Sequence, residues 1–163
     1  MKISESKANS AFSITTASKK DIDRIYNLEK RIFTERKCLC RSQLRYLLSS
    51  KNASFFLLHD NNSAIGYGVT LRNKLRNGRY KGRIYYIGVV PAYKNHGAGS
   101  LLLNAMEESL IQSGVSFIVL ETFQGQGGAE LFFMKHGYAE PKVLPNYYPD
   151  GDGVRLKKII ANK

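Results

Sequence analysis

Apolar residues recur at Ile22, Ile25, Leu28, Ile32 and Phe33, the spacing of one helix face, and predict a first helix ending near Phe33. Ser18 followed by Asp21 is a variant of the capping box at its start. Phe12 to Thr16 fits a strand before it, and Met1 to Ala11 lacks periodicity and is expected as a loose tail. After a charged loop from Thr34 to Arg41, Ser42 to Ser50 predicts a short helix burying Leu44, Leu47 and Leu48. Phe55 to His59 and Ile65 to Leu71 are strands around an Asp60-Asn61-Asn62-Ser63 turn, and Asn77-Gly78 marks the next hairpin.

The most informative stretch follows. Ile84 to Val90 is an apolar, β-branched and aromatic strand closed by Pro91. A turn containing Gly97 and Gly99 opens a helix over Ser100 to Gln112, with Leu101, Leu102, Ala105, Met106 and Leu110 apolar. The two glycines remove side chains that would hold a ligand off the backbone, and the first helical amides, backed by the helix dipole, suit a phosphate or pyrophosphate. The Walker pattern fails for want of Gly-Lys-Ser/Thr, and the dinucleotide fingerprint fails for want of a third glycine.

Gly114 stops that helix. Val115 to Thr122 is a buried strand, Gly127 to Lys135 a fourth helix ending at Gly137, and Tyr138 to Val143 with Val154 to Ile160 a closing antiparallel pair. Strand, proline, spacing and helix together resemble the acetyl-CoA signature of the GNAT superfamily of N-acetyltransferases: Val-x-Pro, then Arg or Gln, two residues, and Gly-x-Gly/Ala. Lys94 stands where Arg or Gln is usual. The resemblance implies an α+β GNAT fold over residues 12–163, with a mixed, mostly antiparallel seven-stranded sheet and about four helices. It also implies that the strands Ile84–Val90 and Val115–Thr122 splay apart to hold acetyl-CoA as co-substrate, with no metal. Val89 and Val90 would supply oxyanion amides, and Lys94, Asn95, His96, Gly97, Ala98, Gly99 and Ser100 would hold the pyrophosphate.

Acetyl transfer to an amine needs a base, and Glu121, ending a buried strand, is the first candidate. Leu120-Glu121-Thr122, Glu130-Leu131-Phe132-Phe133 and His136-Gly137-Tyr138 resemble the RimI-like, ribosomal-protein-alanine branch, which has a glutamate proposed as base at that place. Asn146-Tyr147-Tyr148-Pro149-Asp150-Gly151-Asp152-Gly153 is similar to the loop that helps N-terminal acetyltransferases close over a peptide, so Tyr147 and Tyr148 are expected to contact the acceptor. Glu35 is a second acidic candidate, in the loop bordering the acceptor. Two positions depart from the pattern. Phe133 replaces the tyrosine that serves as general acid, leaving Tyr138 or Tyr147 as substitutes, and Gln126 replaces the asparagine near the pantetheine. His59 and His136 receive no role.

At 163 residues and 43% hydrophobic, the chain has room for one well-buried core. It lacks a run long enough for a membrane helix, and Cys38 and Cys40 are the only cysteines, so a cytoplasmic protein is expected. The net charge of +12 favours RNA, acidic proteins or polyanionic cofactors. Arg36, Lys37, Arg41 and Arg45 flank the acceptor loop. Arg72, Lys74, Arg76, Arg79, Lys81 and Arg83 crowd the hairpin, where Arg72, Lys74 and Arg76 form a stripe suited to a ribosome or another anionic partner. The resulting expectation is acetylation of a peptide or protein amine, N-terminal or lysine. The alternatives are a polyamine or aminoglycoside acceptor, or a weakened CoA-binding or RNA-docking module.

Overall fold

The computed structural model describes residues 11–33, 38–125 and 128–161. Seven strands form one sheet in the order β1-β2-β3-β4-β5-β7-β6: β1 Phe12–Thr16, β2 Ala53–Asp60, β3 Ser63–Lys74, β4 Tyr80–Val89, β5 Val115–Phe123, β6 Ala139–Tyr148 and β7 Gly151–Ile159. Every pairing is antiparallel except β4 with β5. The helices among the described residues are α1 Ile22–Ile32, α2 Arg41–Ser49, α3 Ala98–Gln112 and α4 Gly128–Lys135. This is the expected α+β sheet, and none of these helices is long and apolar enough to cross a membrane.

Period-two alternation sends each strand's side chains to two faces, and a separate core forms on each. Ile84, Ile118, Leu120 and Leu156 pack with Leu102, Leu103, Met106 and Leu110 of α3 and Phe133 of α4. On the opposite face Phe55, Leu57, Tyr67 and Val69 pack with Ile25 and Leu28 of α1 and Leu44 and Leu47 of α2. Leu101, expected on α3's apolar face, is 37% exposed.

Buried Glu29 is the polar centre of the second core. Its carboxylate accepts hydrogen bonds from Tyr67 Oη of β3, Tyr86 Oη of β4 and the Leu39 amide ahead of α2, the last at 2.7 Å. One α1 side chain thereby ties the helix to the sheet and to the segment entering α2. The Ser18–Asp21 cap forms, with Ser18 N–H donating to Asp21 Oδ2 at 2.9 Å, but it opens a 3₁₀ turn at Lys19–Asp21 that leads into α1.

Two expectations change. Residues 146–153, expected as a loop, are mostly strand: β6 runs through Tyr148 and β7 starts at Gly151, leaving Pro149-Asp150 as the turn. Pro141 and Pro145 concealed this in the sequence, but β6 is the sheet's edge, where a missing N–H breaks no ladder. The basic stripe is also partly consumed. Arg72 Nε donates to the Ser113 carbonyl at α3's C-terminal end at 2.9 Å, with its guanidinium 3.4 Å from the Tyr80 ring centre, and Arg79 Nε donates to Ser116 Oγ at 3.0 Å.

Candidate active site

β4 and β5 pair from Tyr80↔Val115 to Ile84↔Leu120 and no further. Beyond that point β4 stays with β3 as far as Gly66↔Val89, and β5 stays with β7 as far as Phe123↔Gly153. The local cause is a bulge. Partners jump from Thr70↔Ile84 to Val69↔Tyr86, leaving Tyr85 as the extra residue, and a bulge bends its strand. The sheet therefore opens between Tyr85 on one lip and Glu121 on the other.

Val90 N–H donates to the Ile65 carbonyl across β3 at 2.8 Å. Amide directions alternate along a strand, so the Val89 N–H faces away from β3 and into the opening. Of the two amides expected to meet an oxyanion, Val90's is already spent within the sheet.

After β4 the chain makes one 3₁₀ turn at Pro91–Tyr93, tied to β2 by Tyr93 Oη donating to Asp60 Oδ2 at 2.8 Å. Lys94, Asn95 and His96 follow, all exposed, and Gly97 caps α3 in a left-handed conformation with φ 79°. The helix ladder begins with Leu101 N–H to Gly97 O at 3.0 Å, so the Ala98, Gly99 and Ser100 amides precede it without intrahelical acceptors. The two glycines differ in kind. A Cβ on Gly97 would meet nothing within 4 Å but would strain the left-handed backbone, whereas one on Gly99 would face the Phe132 ring at 3.6 Å.

Ser100 carries a connection that no sequence motif signalled. His136 Nδ1 lies 2.7 Å from the Phe132 carbonyl, which can only accept, so Nδ1 bears the proton. In the neutral imidazole Nε2 is then the acceptor for Ser100 O–H at 3.0 Å. The histidine after α4 thus holds a side chain in the first turn of α3.

At the other lip, Glu121 is ion-paired on both sides. Arg83 Nε donates to Oε2 and Arg155 Nε to Oε1, each at 2.8 Å, and the carboxylate side chain is 5% exposed. The register sets this up, since Glu121 is directly opposite Arg155 and Arg83 is on β4 just before the split. Arg83 Nη2 also donates to Tyr147 Oη at 3.0 Å. Tyr147 meets Tyr148 edge-on at 4.9 Å, and Tyr148 stacks on Phe123 at 3.8 Å. Burial, with Tyr147 and Glu121 nearby, pushes the Tyr148 phenol up to about 12. The structure thus gathers Glu121, Tyr147 and Tyr148 on one face and adds Arg83 and Arg155. Arg83 was visible only as part of a charge run, and Arg155 needed the β5–β7 register.

Phe133 lies in the α3-side core, edge-on to Tyr138 at 5.8 Å. Tyr138 is 1% exposed, and burial raises its phenol well above the usual tyrosine range, with the neighbouring Glu107 adding to the rise. It is sealed in the core and makes a poor substitute acid. Glu35 and Gln126 lie outside the described residues.

A family model described as Acetyltransferase (GNAT) family matches residues 22–138, from the start of α1 to the residue before β6. The chain belongs to that family. As a GNAT protein it is an acetyltransferase with acetyl-CoA as co-substrate, and the opening between β4 and β5 is the splayed wedge expected for it. It is 27% identical over 103 residues to the [ribosomal protein bS18]-alanine N-acetyltransferase of Haemophilus influenzae, covering 63% of this chain and 66% of that enzyme. It is 26% identical over 168 residues to an N-alpha-acetyltransferase of Sulfurisphaera tokodaii, covering 96% of this chain and 97% of the relative. Among solved structures, Arabidopsis thaliana Naa50 in complex with the bisubstrate analogue CoA-Ac-MVNAL superposes with a TM-score of 0.78 at 19% identity, covering 92% and 99% of the two chains.

Proposed function

We propose that this GNAT protein acetylates the α-amino group of a protein or peptide, with Glu121 as general base. The observation that carries the reading is the end of β4–β5 pairing at Ile84↔Leu120, which leaves the Val89 amide on one lip and the Glu121 carboxylate on the other. The N-terminal acceptors named for its relatives support the choice of acceptor.

The thioester would lie in the opening, with its pyrophosphate on the Ala98–Ser100 amides and Lys94, Asn95 and His96 beside it. The acceptor amine would approach over the Glu121 face, under Tyr147 and Tyr148. A new N–C bond forms while the C–S bond breaks. The Val89 amide receives the developing oxyanion, and the proton on nitrogen passes to Glu121, directly or through water. Arg83 and Arg155 hold the carboxylate in place through its two oxygens, each of which keeps a further lone pair. Phe133 cannot protonate the sulfur. A thiol of pKa about 8.5 leaves adequately as thiolate, so the missing acid slows the reaction without preventing it. Cys38 and Cys40, present as thiols rather than a disulfide, suit work in a reducing cytoplasm. Lys74 and Arg76, still exposed on the hairpin, are the residues left to meet a ribosome or another anionic partner.

Thiol release from acetyl-CoA, measured with N-terminal peptides, polyamines and aminoglycosides, tests the reading. Peptide turnover that drops about 10²–10⁴-fold in Glu121→Gln, with coenzyme A still bound, is the expected result. Full activity in Glu121→Gln would remove the base, and turnover of small amines alone would remove the peptide acceptor.

A further inference from the structure

Alternation and register place more than Glu121 on the open face. Phe117, Val119 and Glu121 share one side of β5, and their cross-strand partners share it too. Lys81 opposes Phe117 and Arg83 opposes Val119 on β4. Lys157 opposes Val119 on β7, and Lys142 of β6 opposes Arg155. The Lys157 ammonium over the Phe117 ring, at 4.7 Å, confirms the shared side. Lys81, Arg83, Lys142, Arg155 and Lys157 therefore lie on the same face as the Glu121 carboxylate, while α1 and α2 pack over β2 and β3.

Glu121 consumes only the Nε of each arginine. Arg83 spends an Nη on Tyr147, whereas the Nη groups of Arg155, whose side chain is 43% exposed, donate to nothing among the described residues. Strands lie about 4.8 Å apart and successive Cα atoms about 3.8 Å apart. A peptide that runs from Glu121 toward β7 therefore brings its next one or two residues over Arg155.

We infer that Arg155, backed by Arg83 and the surrounding lysines, reads an acidic side chain at the second or third residue of the acceptor, so that acidic N termini are the preferred substrates. This rests on the peptide N-terminal reading of the same site. A carboxylate would meet a guanidinium edge already oriented by Glu121, which lowers the entropy lost in binding.

The test compares kcat/KM for three peptides that differ only at positions two and three, carrying Asp-Glu, Asn-Gln or Lys-Lys. The expected preference for acidic over neutral is about fivefold, carried by KM and falling toward unity in about 1 M salt, where the Debye length is about 3 Å. Arg155→Gln should abolish the preference, Arg155→Lys should keep part of it, and Arg155→Glu should favour the Lys-Lys peptide. Each preference is a ratio within one variant, so a general loss of activity leaves it readable, and the wild-type salt dependence needs no variant. Equal turnover of all three peptides by the wild type, or a preference surviving Arg155→Gln, would overturn the inference and leave N-terminal acetylation standing. No peptide turnover despite calorimetric binding of coenzyme A would instead overturn the acceptor reading beneath it.

Discussion

Ser100 O–H donates to His136 Nε2 across 3.0 Å, joining the first turn of α3 to the residue that follows α4. The first of these segments is read as the pyrophosphate site, and the second directly follows α4. Removing the imidazole in His136→Ala costs about 0.5–1.5 kcal/mol, the net worth of such a hydrogen bond, and frees the α3 terminus to shift. Calorimetry should show coenzyme A binding weakened by roughly two- to tenfold. Unchanged affinity would mean that the tie is purely structural.

Gly97 and Gly99 separate two reasons for a glycine in this turn. Alanine at 97 keeps the left-handed φ of 79° at a cost of roughly 1–2 kcal/mol, or rebuilds the turn and misdirects the amides. Alanine at 99 makes ordinary contact with Phe132. Gly97→Ala is therefore expected to weaken coenzyme A binding at least tenfold, and Gly99→Ala to change it little. Equal losses in the two variants would show that Gly99 is as necessary to coenzyme A binding as the strained Gly97.

Glu29 is the carboxylate whose loss should hurt folding most. Glu29→Ala removes the acceptor shared by buried Tyr67, half-buried Tyr86 and the Leu39 amide, at a cost of about 3–5 kcal/mol. Glu29→Gln keeps one acceptor oxygen and should cost about half as much. Urea unfolding of the two variants distinguishes this from a simple volume effect, for which glutamine would be almost neutral.

High pH attacks both cores. Burial, reinforced by Glu29, raises the Tyr67 phenol above the usual range, and burial also raises Tyr86, Tyr138 and Tyr148, the last to about 12. Below about pH 10 these phenols are neutral both folded and unfolded, so they add no pH dependence. Above it the unfolded chain loses protons that the folded chain keeps, and stability falls by up to about 1.4 kcal/mol per pH unit for each of the fully buried Tyr67 and Tyr138. The last part of the phenolate absorbance, from the buried tyrosines, should rise together with loss of the fold between about pH 10 and 12. Ionisation of all ten tyrosines in a still-folded protein would contradict this.

Local chemistry was enough to reveal the glycine turn ahead of α3 and the element order. Pro91 had to end β4, Gly97 had to take a left-handed φ, and the apolar periods of α1 and α3 had to find a core. Such constraints act over a few residues and are written where they act. The edge position of β6, which licenses Pro141 and Pro145, is a property of the sheet and left no local mark.

The chain by itself determined the family, the wedge-forming strands and Glu121 as the carboxylate beside them. Only the folded sheet decided what that carboxylate touches. Arg83 and Arg155 lie 38 and 34 residues from Glu121 along the chain, and the pairing register alone brings their guanidinium groups to its two oxygens. The tertiary fold likewise took Val90's amide out of contention and paired His136 with Ser100, because a hydrogen bond between distant residues depends on how strands and helices meet and not on their spacing in sequence.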